Sequence, residues 1–313
     1  MDFRFAFDLA LGILLAASPT AATASEATPS AGIPVHMVVT VETLHGASVP
    51  VINPDDVMVY EGRDRDKVTD WVPAQADHAG LELFVLIDDA SNSSLGSQLE
   101  DIRQFIVAQP AATKVGVAYM QNGMAQITQN LSSDHALASK ALRLPLGTPG
   151  VSASPYFSLG DLIKRWPESP ARHEVLMVSD GIDRFGGSGP DDPYVESVIE
   201  QAQRAGIVVF AIYTPGVGHY GHSFWRTWWG QIYLSRIGDE TGGESYYIGF
   251  SGAPVAFAPY LDDVAHRLTH QYLLTFFAKP EPKAGMRPVR VTTEVPNAEL
   301  VGADSVYVPA SPL

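Results

Sequence analysis

The sequence predicts an α/β protein: a doubly wound, mostly parallel six-stranded sheet with helices on both faces, plus a small β module from the N- and C-terminal segments. Three observations carry this expectation. Leu81 to Ile87 is apolar except for Glu82, the pattern of a strand buried on both faces of a parallel sheet. Strand-like and helix-like runs then alternate through the middle of the chain, as crossover connections over a parallel sheet require. At the two ends, β-rich runs stand outside that alternation and are expected to pair with each other.

Taken in order, Val35–Val41 and Val57–Tyr60 read as strands separated by turn signals at His45-Gly46 and Asn53-Pro54, and RDRDK after Glu61-Gly62 reads as a charged turn. After the central strand, Leu95, Leu99, Ile102 and Ile106 are spaced as the apolar stripe of a helix over Leu95–Gln109. Lys114–Met120 is a second buried strand, and Gln121-Asn122-Gly123 turns it into an antiparallel edge strand over Ala125–Gln129. Ser132 and Ser133 are placed to cap a helix ending near Leu142, and Tyr156–Trp166 is a helix stopped by Pro167. Val175–Val178 is the fourth strand of the alternating unit. A helix follows with Val195, Val198, Ile199 and Ala202 on one face, ended by Gly206, before the fifth strand Ile207–Tyr213. Trp228–Gly238 is helical in pattern and Glu244–Ile248 a short sixth strand. Pro259 opens a helix that runs directly into a strand over Tyr272–Phe277, and strand-like runs recur around Val289–Val295 and Ser305–Val308.

Composition narrows the function classes. With 35 acidic against 20 basic residues the net charge is -15, which repels nucleic acid and anionic lipid at long range. The absence of cysteine excludes disulfides, thiolate metal sites and cysteine nucleophiles. The first residues have the pattern of an export signal: Arg4, an apolar run from Leu9 to Ala17, and Ala22-Thr23-Ala24 before Ser25. Asp8 departs from that pattern, and an uncleaved membrane anchor is the alternative, although the run is short for a bilayer span. The expected organisation is a signal peptide over 1–24, a linker over 25–32, an N-terminal β segment over 33–78, the α/β domain over 79–278 and a C-terminal β segment over 279–313. The expected location is extracytoplasmic, with no membrane span after signal cleavage.

The candidate site lies where the central strand ends. Asp88 and Asp89 are followed by Ser91, Ser93 and Ser94, a dense set of hard oxygen donors at the carboxyl end of a buried strand, which is where open α/β sheets bind ligands. Together with Asp180-Gly181 after the fourth strand, the hairpin, Gly206–Ile212 and Asp239-Glu240-Thr241-Gly242-Gly243, this order resembles a von Willebrand factor A-type (VWA) domain over about Gly80–Ala278. The layout is most similar to an exported bacterial branch of that family. The resemblance implies a metal-ion-dependent adhesion site, in which an Asp-x-Ser-x-Ser motif, a Thr and a further Asp hold Mg2+, or Mn2+ or Ca2+, and a protein partner completes the shell with a carboxylate. Asp88 and Asp89 offer two registers: counted from Asp88 the serine positions hold Ala90 and Asn92, while counted from Asp89 they hold Ser91 and Ser93 but require a bulge. A hydroxyl from Thr148, or from Ser152 or Ser154 in the same loop, and Asp180 complete the expected set, and a degenerate site without metal is the alternative.

Other signals are weaker. Gly216–Gly221 spells a dinucleotide fingerprint but follows the fifth strand instead of the first. His219 with His222, and His266 with His270, have the spacing of metal pairs but no obvious carboxylate support. Trp225, Trp228 and Trp229 either cover the following helix or form an exposed patch for a protein or glycan partner. The expected function is therefore a non-enzymatic binding module. The alternative is a metal-dependent hydrolase or phosphotransfer enzyme using Asp88, Asp89 and Asp180, for which no nucleophile or phosphate-binding lysine is evident.

Overall fold

Ile33–Thr43 alternates apolar and polar residues and forms β1, whose Ile33, Val35, Met37, Val39 and Val41 are buried on one face. The structure, a computed structural model, describes residues 32–46, 48–147, 154–187, 189–217, 223–247 and 256–311. β2 (Val57–Glu61) turns at Gly62 into β3 (Asp64–Pro73). The charged RDRDK run thus belongs largely to a strand and not to the turn: Asp64, Arg65 and Asp66 pair with Glu61, Tyr60 and Val59. Backbone pairing to β2 overrides the turn propensity, because the charged side chains of this segment largely face solvent.

The alternating unit follows. Its members are β4 (Leu81–Asp88), α1 (Leu99–Val107), β5 (Thr113–Gln121), β6 (Met124–Ser132), α2 (His135–Lys140), α3 (Pro155–Arg165), β7 (Arg172–Ser179), α4 (Pro193–Ala205), β8 (Ile207–Tyr213), α5 (Phe224–Thr241), β9 (Ser245–Tyr246) and α6 (Ala258–Thr269). The strand order is β6-β5-β4-β7-β8-β9, with only β6 antiparallel. Counted from β4, this is the doubly wound order 3-2-1-4-5-6, with its switch point between the first and fourth strands. Strand alternation divides β4 between two layers. Leu81, Leu83, Val85 and Ile87 pack with α1, α2 and α6, while Phe84 and Leu86 pack with α3, α4 and α5.

Local chemistry shifts several helix boundaries from the expected ones. A 3-10 turn over Ser93–Ser97, capped by Asn92, takes the start of the first helix, so α1 begins at Leu99. Asp134, not Ser132 or Ser133, caps α2 by accepting from Ala136 and Leu137. Ser154 caps α3, and Gly206 in the left-handed region ends α4. α5 starts at Phe224, four residues ahead of the expected Trp228, so the aromatic cluster forms its first turns.

The remaining strands are β10 (Gln271–Ala278), β11 (Gly285–Pro288), β12 (Arg290–Thr293), β13 (Ala298–Gly302) and β14 (Ser305–Val308). A second six-stranded sheet has the order β12-β2-β3-β10-β1-β13, and β11 pairs with β14. β10, which the sequence reading places at the end of the α/β domain, lies between β1 and β3 in this second sheet. The reason is burial: Leu274, Phe276 and Ala278 pack among Val35, Val39 and Trp71, and Tyr272 stacks on Trp71 with ring centroids 4.3 Å apart. α6 ends at Thr269 and β10 begins at Gln271, so one connection ties the two sheets, and Gly32–Leu313 packs as a single unit.

Candidate functional site

The ends of β4 and β7 bring Asp88, Ser179 and Asp180 together at the carboxyl edge of the sheet. The Ser179 hydroxyl donates to Asp88 Oδ2 at 2.8 Å, and the Ala90 amide donates to Asp88 Oδ1 at 2.9 Å. Asp180 accepts the Ile182 amide on Oδ1 at 2.9 Å and the Arg184 guanidinium on Oδ2 at 2.5 Å. The other guanidinium nitrogen lies 3.9 Å from Asp88 Oδ2, so Arg184 sits between the two carboxylates with its side chain only 6% exposed. Burial pushes the Asp180 carboxyl up to about 6, against the pull of Arg184 and with a further push from Asp88. Burial also opposes the charge on Arg184, but Asp180 and Asp88 outweigh it and raise its pKa.

Asp89 has a different partner. Arg143 grips it in a two-pronged pair, Nη1 to Oδ1 at 2.6 Å and Nη2 to Oδ2 at 2.7 Å. The Leu146 amide donates to Oδ1 at 3.1 Å, and the Gln121 side chain donates to Oδ2. Tyr119 holds the arginine in place: its ring lies 3.8 Å from the guanidinium, and its hydroxyl donates to the Arg143 carbonyl at 2.8 Å. β4 pairs with β5 without a register shift through Asp88↔Met120, so the strand lacks the bulge that the Asp89 register requires.

Among the other expected site residues, the Ser91 hydroxyl is buried without a hydrogen-bond partner, and Ser93 is exposed at the start of the 3-10 turn. Thr148 and Ser152 lie outside the described residues, as do His219 and His222. The loops above the edge are tied together. The Asn92 amide donates to the Pro215 carbonyl at 2.9 Å, and the Val217 amide donates to Ala90 at 3.0 Å. Gly216 lies so close beneath this closure that a Cβ there would collide with the Asp180 carboxylate.

The donor set at Asp88 and Asp180 does not fit a divalent ion. Magnesium and calcium need six or more oxygen ligands with free lone pairs. Here Ala90 supplies no side-chain oxygen, Asn92 Oδ1 accepts from the Ser94 amide, and a guanidinium already bonds Asp180 and stands beside Asp88, so the ligand set is short and the cation's place is taken. Among the described residues, no group of three or more His, Asp or Glu side chains is placed to hold a metal ion. The His266 and His270 rings lie at a tilt with centroids 4.2 Å apart, His266 exposed and His270 half-buried.

The tryptophans form one aromatic cluster on α5. Ring centroids are 5.7 Å apart for Trp225–Trp228 and for Trp225–Trp229, and 4.8 Å for Trp228–Trp229. Trp229 turns inward against Tyr233, while Phe224, Trp225 and Trp228 are 70%, 54% and 37% exposed. Phe185, from the loop after β7, is also exposed and packs against Phe157 and Tyr194.

No family model and no curated protein sequence matches the chain. Among solved structures it matches an aerotolerance-related membrane protein from Bacteroides fragilis at 17% identity, covering 60% of this chain and 98% of that one, with a TM-score of 0.38. It also matches the ArnB paralog VWA2 from Sulfolobus acidocaldarius at 9% identity, covering 89% and 76%, with a TM-score of 0.38. A third match is the VWA domain of SpRpn10, at 12% identity, covering 59% and 93%, with a TM-score of 0.35. The chain resembles VWA domains. The VWA-type reading stands on this chain's own strand order and reversed third strand, and matches at TM-scores of 0.35 to 0.38 add no argument to it. The sequence placed the edge at Asp88 or Asp89 with Asp180 but gave no indication of Arg184 or Arg143 as part of it. The one retrospective signal for Arg184 is its position four residues after Asp180. Arg143 carried none, because only the β5 and α2 packing brings it to Asp89.

Proposed function

We propose that this chain is a non-enzymatic, extracytoplasmic protein-binding module of the VWA type that engages its partner without a divalent ion, through the aromatic first turns of α5. The observation that carries this reading is the exposure of Phe224, Trp225 and Trp228 beside an edge whose own carboxylates are already neutralised from within. Large apolar side chains held at the surface are costly to leave hydrated, and Trp, Tyr and Arg dominate the energetics of protein interfaces. A carboxylate-bearing partner would meet Asp88, Asp89 and Asp180 buried beneath the tied loops, which favours an approach that does not run through a bound cation. Among the described residues no helix is long and apolar enough to cross a membrane. Amino-terminal export would leave this aromatic surface facing the extracytoplasmic space.

The test is crosslinking capture with the full chain in EDTA and again in magnesium, compared with the double variant Trp225→Ala/Trp228→Ala. The same binder is expected in both buffers and is expected to be lost from the variant. The variant should remain folded with a lowered thermal midpoint, since each lost aromatic contact with Trp229 is worth about 0.5–1.5 kcal/mol. Capture that needs magnesium, or that survives in the variant, would overturn the reading.

A further inference from the structure

We propose that Arg184 is the resident cation of the carboxyl edge: its guanidinium supplies the positive charge that Asp88 and Asp180 require, in the place where a divalent ion would otherwise be needed. This deepens the metal-independent part of the reading above, but it does not depend on which partner the tryptophans take.

Four observations converge on it. First, topology forces the two carboxylates together, since β4 and β7 are the first and fourth strands flanking the switch point. Both are buried, and two like charges in a low-dielectric setting need either a cation or a proton. Second, the loop after β7 curls back so that a residue four positions beyond Asp180 returns its side chain to it. The guanidinium then lies 2.5 Å from Asp180, 3.9 Å from Asp88 and 3.3 Å from the Ile182 carbonyl. Third, the backbone above is shaped around that side chain: a Cβ on Gly216 would come within 2.8 Å of Arg184 Nη2 as well as striking Asp180. Fourth, the position two residues after Asp88, where the resemblance calls for a metal-binding hydroxyl, is Ala90, and it contributes only its backbone to the closure. Losing a ligand and gaining an internal cation are complementary changes. Together they leave an edge whose paired carboxylate charge is permanently offset in part by one arginine, in place of one that responds to metal.

The same logic repeats next door, where Arg143 neutralises Asp89. Arg184 is the informative case, because it serves both carboxylates that flank the switch point and is itself buried.

The experiment compares the parent chain with Arg184→Ala, Arg184→Lys, Asp180→Asn and the double variant Arg184→Ala/Asp180→Asn. Thermal unfolding is followed in EDTA and in MgCl2, MnCl2 or CaCl2 at about millimolar concentration, the range in which weak extracellular oxygen-ligand sites fill. The parent and Arg184→Lys should have the same midpoint with and without metal. Arg184→Ala should unfold about 6 °C lower or more in EDTA, because two buried carboxylates lose their compensating charge. Removal of one carboxylate in the double variant should restore the midpoint, whereas divalent metal, for which Ala90 and Asn92 leave too few ligands, should not. If Arg184→Ala does not fold in EDTA, the double variant should. The proposal is overturned if Asp180→Asn does not restore Arg184→Ala, since the arginine then acts only by packing. It is equally overturned if the parent is itself stabilised by metal and loses that response on Asp180→Asn. Neither result would touch the capture experiment, which reads the α5 surface.

Discussion

At the scale of single residues, the buried carboxylates Asp89, Asp180 and Glu174 each face an arginine. Arg184 and Arg143 neutralise the edge, and Arg172 lies 3.6 Å from Glu174 on β7. Glu174 is fully buried, and that burial pushes its carboxyl up to about 7, against the lowering effect of Arg172. A carboxyl whose folded pKa lies above its unfolded value of 4.5 binds its proton more tightly when folded. Stability contributed by that group therefore falls as pH rises from about 4.5 to about 7, with a slope of up to about 1.4 kcal/mol per pH unit. Asp180, raised to about 6, adds a descent in the lower part of the same window. Urea unfolding from pH 4.5 to 8 should show this fall, and Glu174→Gln should flatten the part between pH 6 and 7. An unchanged pH profile in the variant would rule Glu174 out as its source.

At the scale of elements, helix ends carry more of the architecture than helix interiors. Gly206 and Gly242 both end helices in the left-handed region, with φ of 64° and 83°. Their surroundings differ. A Cβ at Gly206 would meet open space, whereas at Gly242 it would come within 2.7 Å of the Gly302 backbone and 2.8 Å of Ala303, at the end of β13. Gly206→Ala should therefore cost only the conformational penalty, about 1 kcal/mol. Gly242→Ala should cost roughly 1–3 kcal/mol more, because the second sheet must give way. Denaturant midpoints of the two variants measure the difference directly, and equal losses would mean that the two layers do not press on each other there. At its other end, α5 starts earlier than its apolar pattern suggests. Its first turns are aromatic on several sides, which blurs a helical stripe in the sequence, and the turns are set by packing of Trp229 on Tyr233.

At the scale of the whole molecule, the two sheets are linked by β10. It follows α6 after a single residue, and both β1 and β3 pair with it. Arg172 reinforces the link: it donates to the Leu268 carbonyl at 3.2 Å and to the Gln271 side chain. The full chain should unfold in one transition whether followed by tryptophan fluorescence or far-ultraviolet circular dichroism. A chain ending at Thr269 should lose that cooperativity and self-associate on size exclusion, because β1 and β3 would present unpaired edges. A monomeric truncation with the parent's secondary structure would show that the α/β layer stands alone.

The sequence by itself determined the α/β layer. Its strands are short apolar runs whose burial on both faces is visible in composition, and its crossovers are amphipathic helices, so both signals are local. It also placed Asp88 and Asp180 at one edge, because strand order follows from alternation and the handedness of crossovers. Tertiary structure decided what that edge does. Arg143 reaches Asp89 across 54 residues of chain, the loops at Ala90 and Val217 are tied across more than a hundred, and β10 joins partners more than 200 residues away. None of these contacts leaves a periodic trace. They are set by which side chains are brought within a few ångströms once both sheets have formed, and a one-dimensional pattern does not encode charge compensation at that distance. The register of Asp88 against Asp89 shows the division clearly: the residues allow both, and an unbroken ladder from Leu81 to Asp88 leaves only the first in line with the strand.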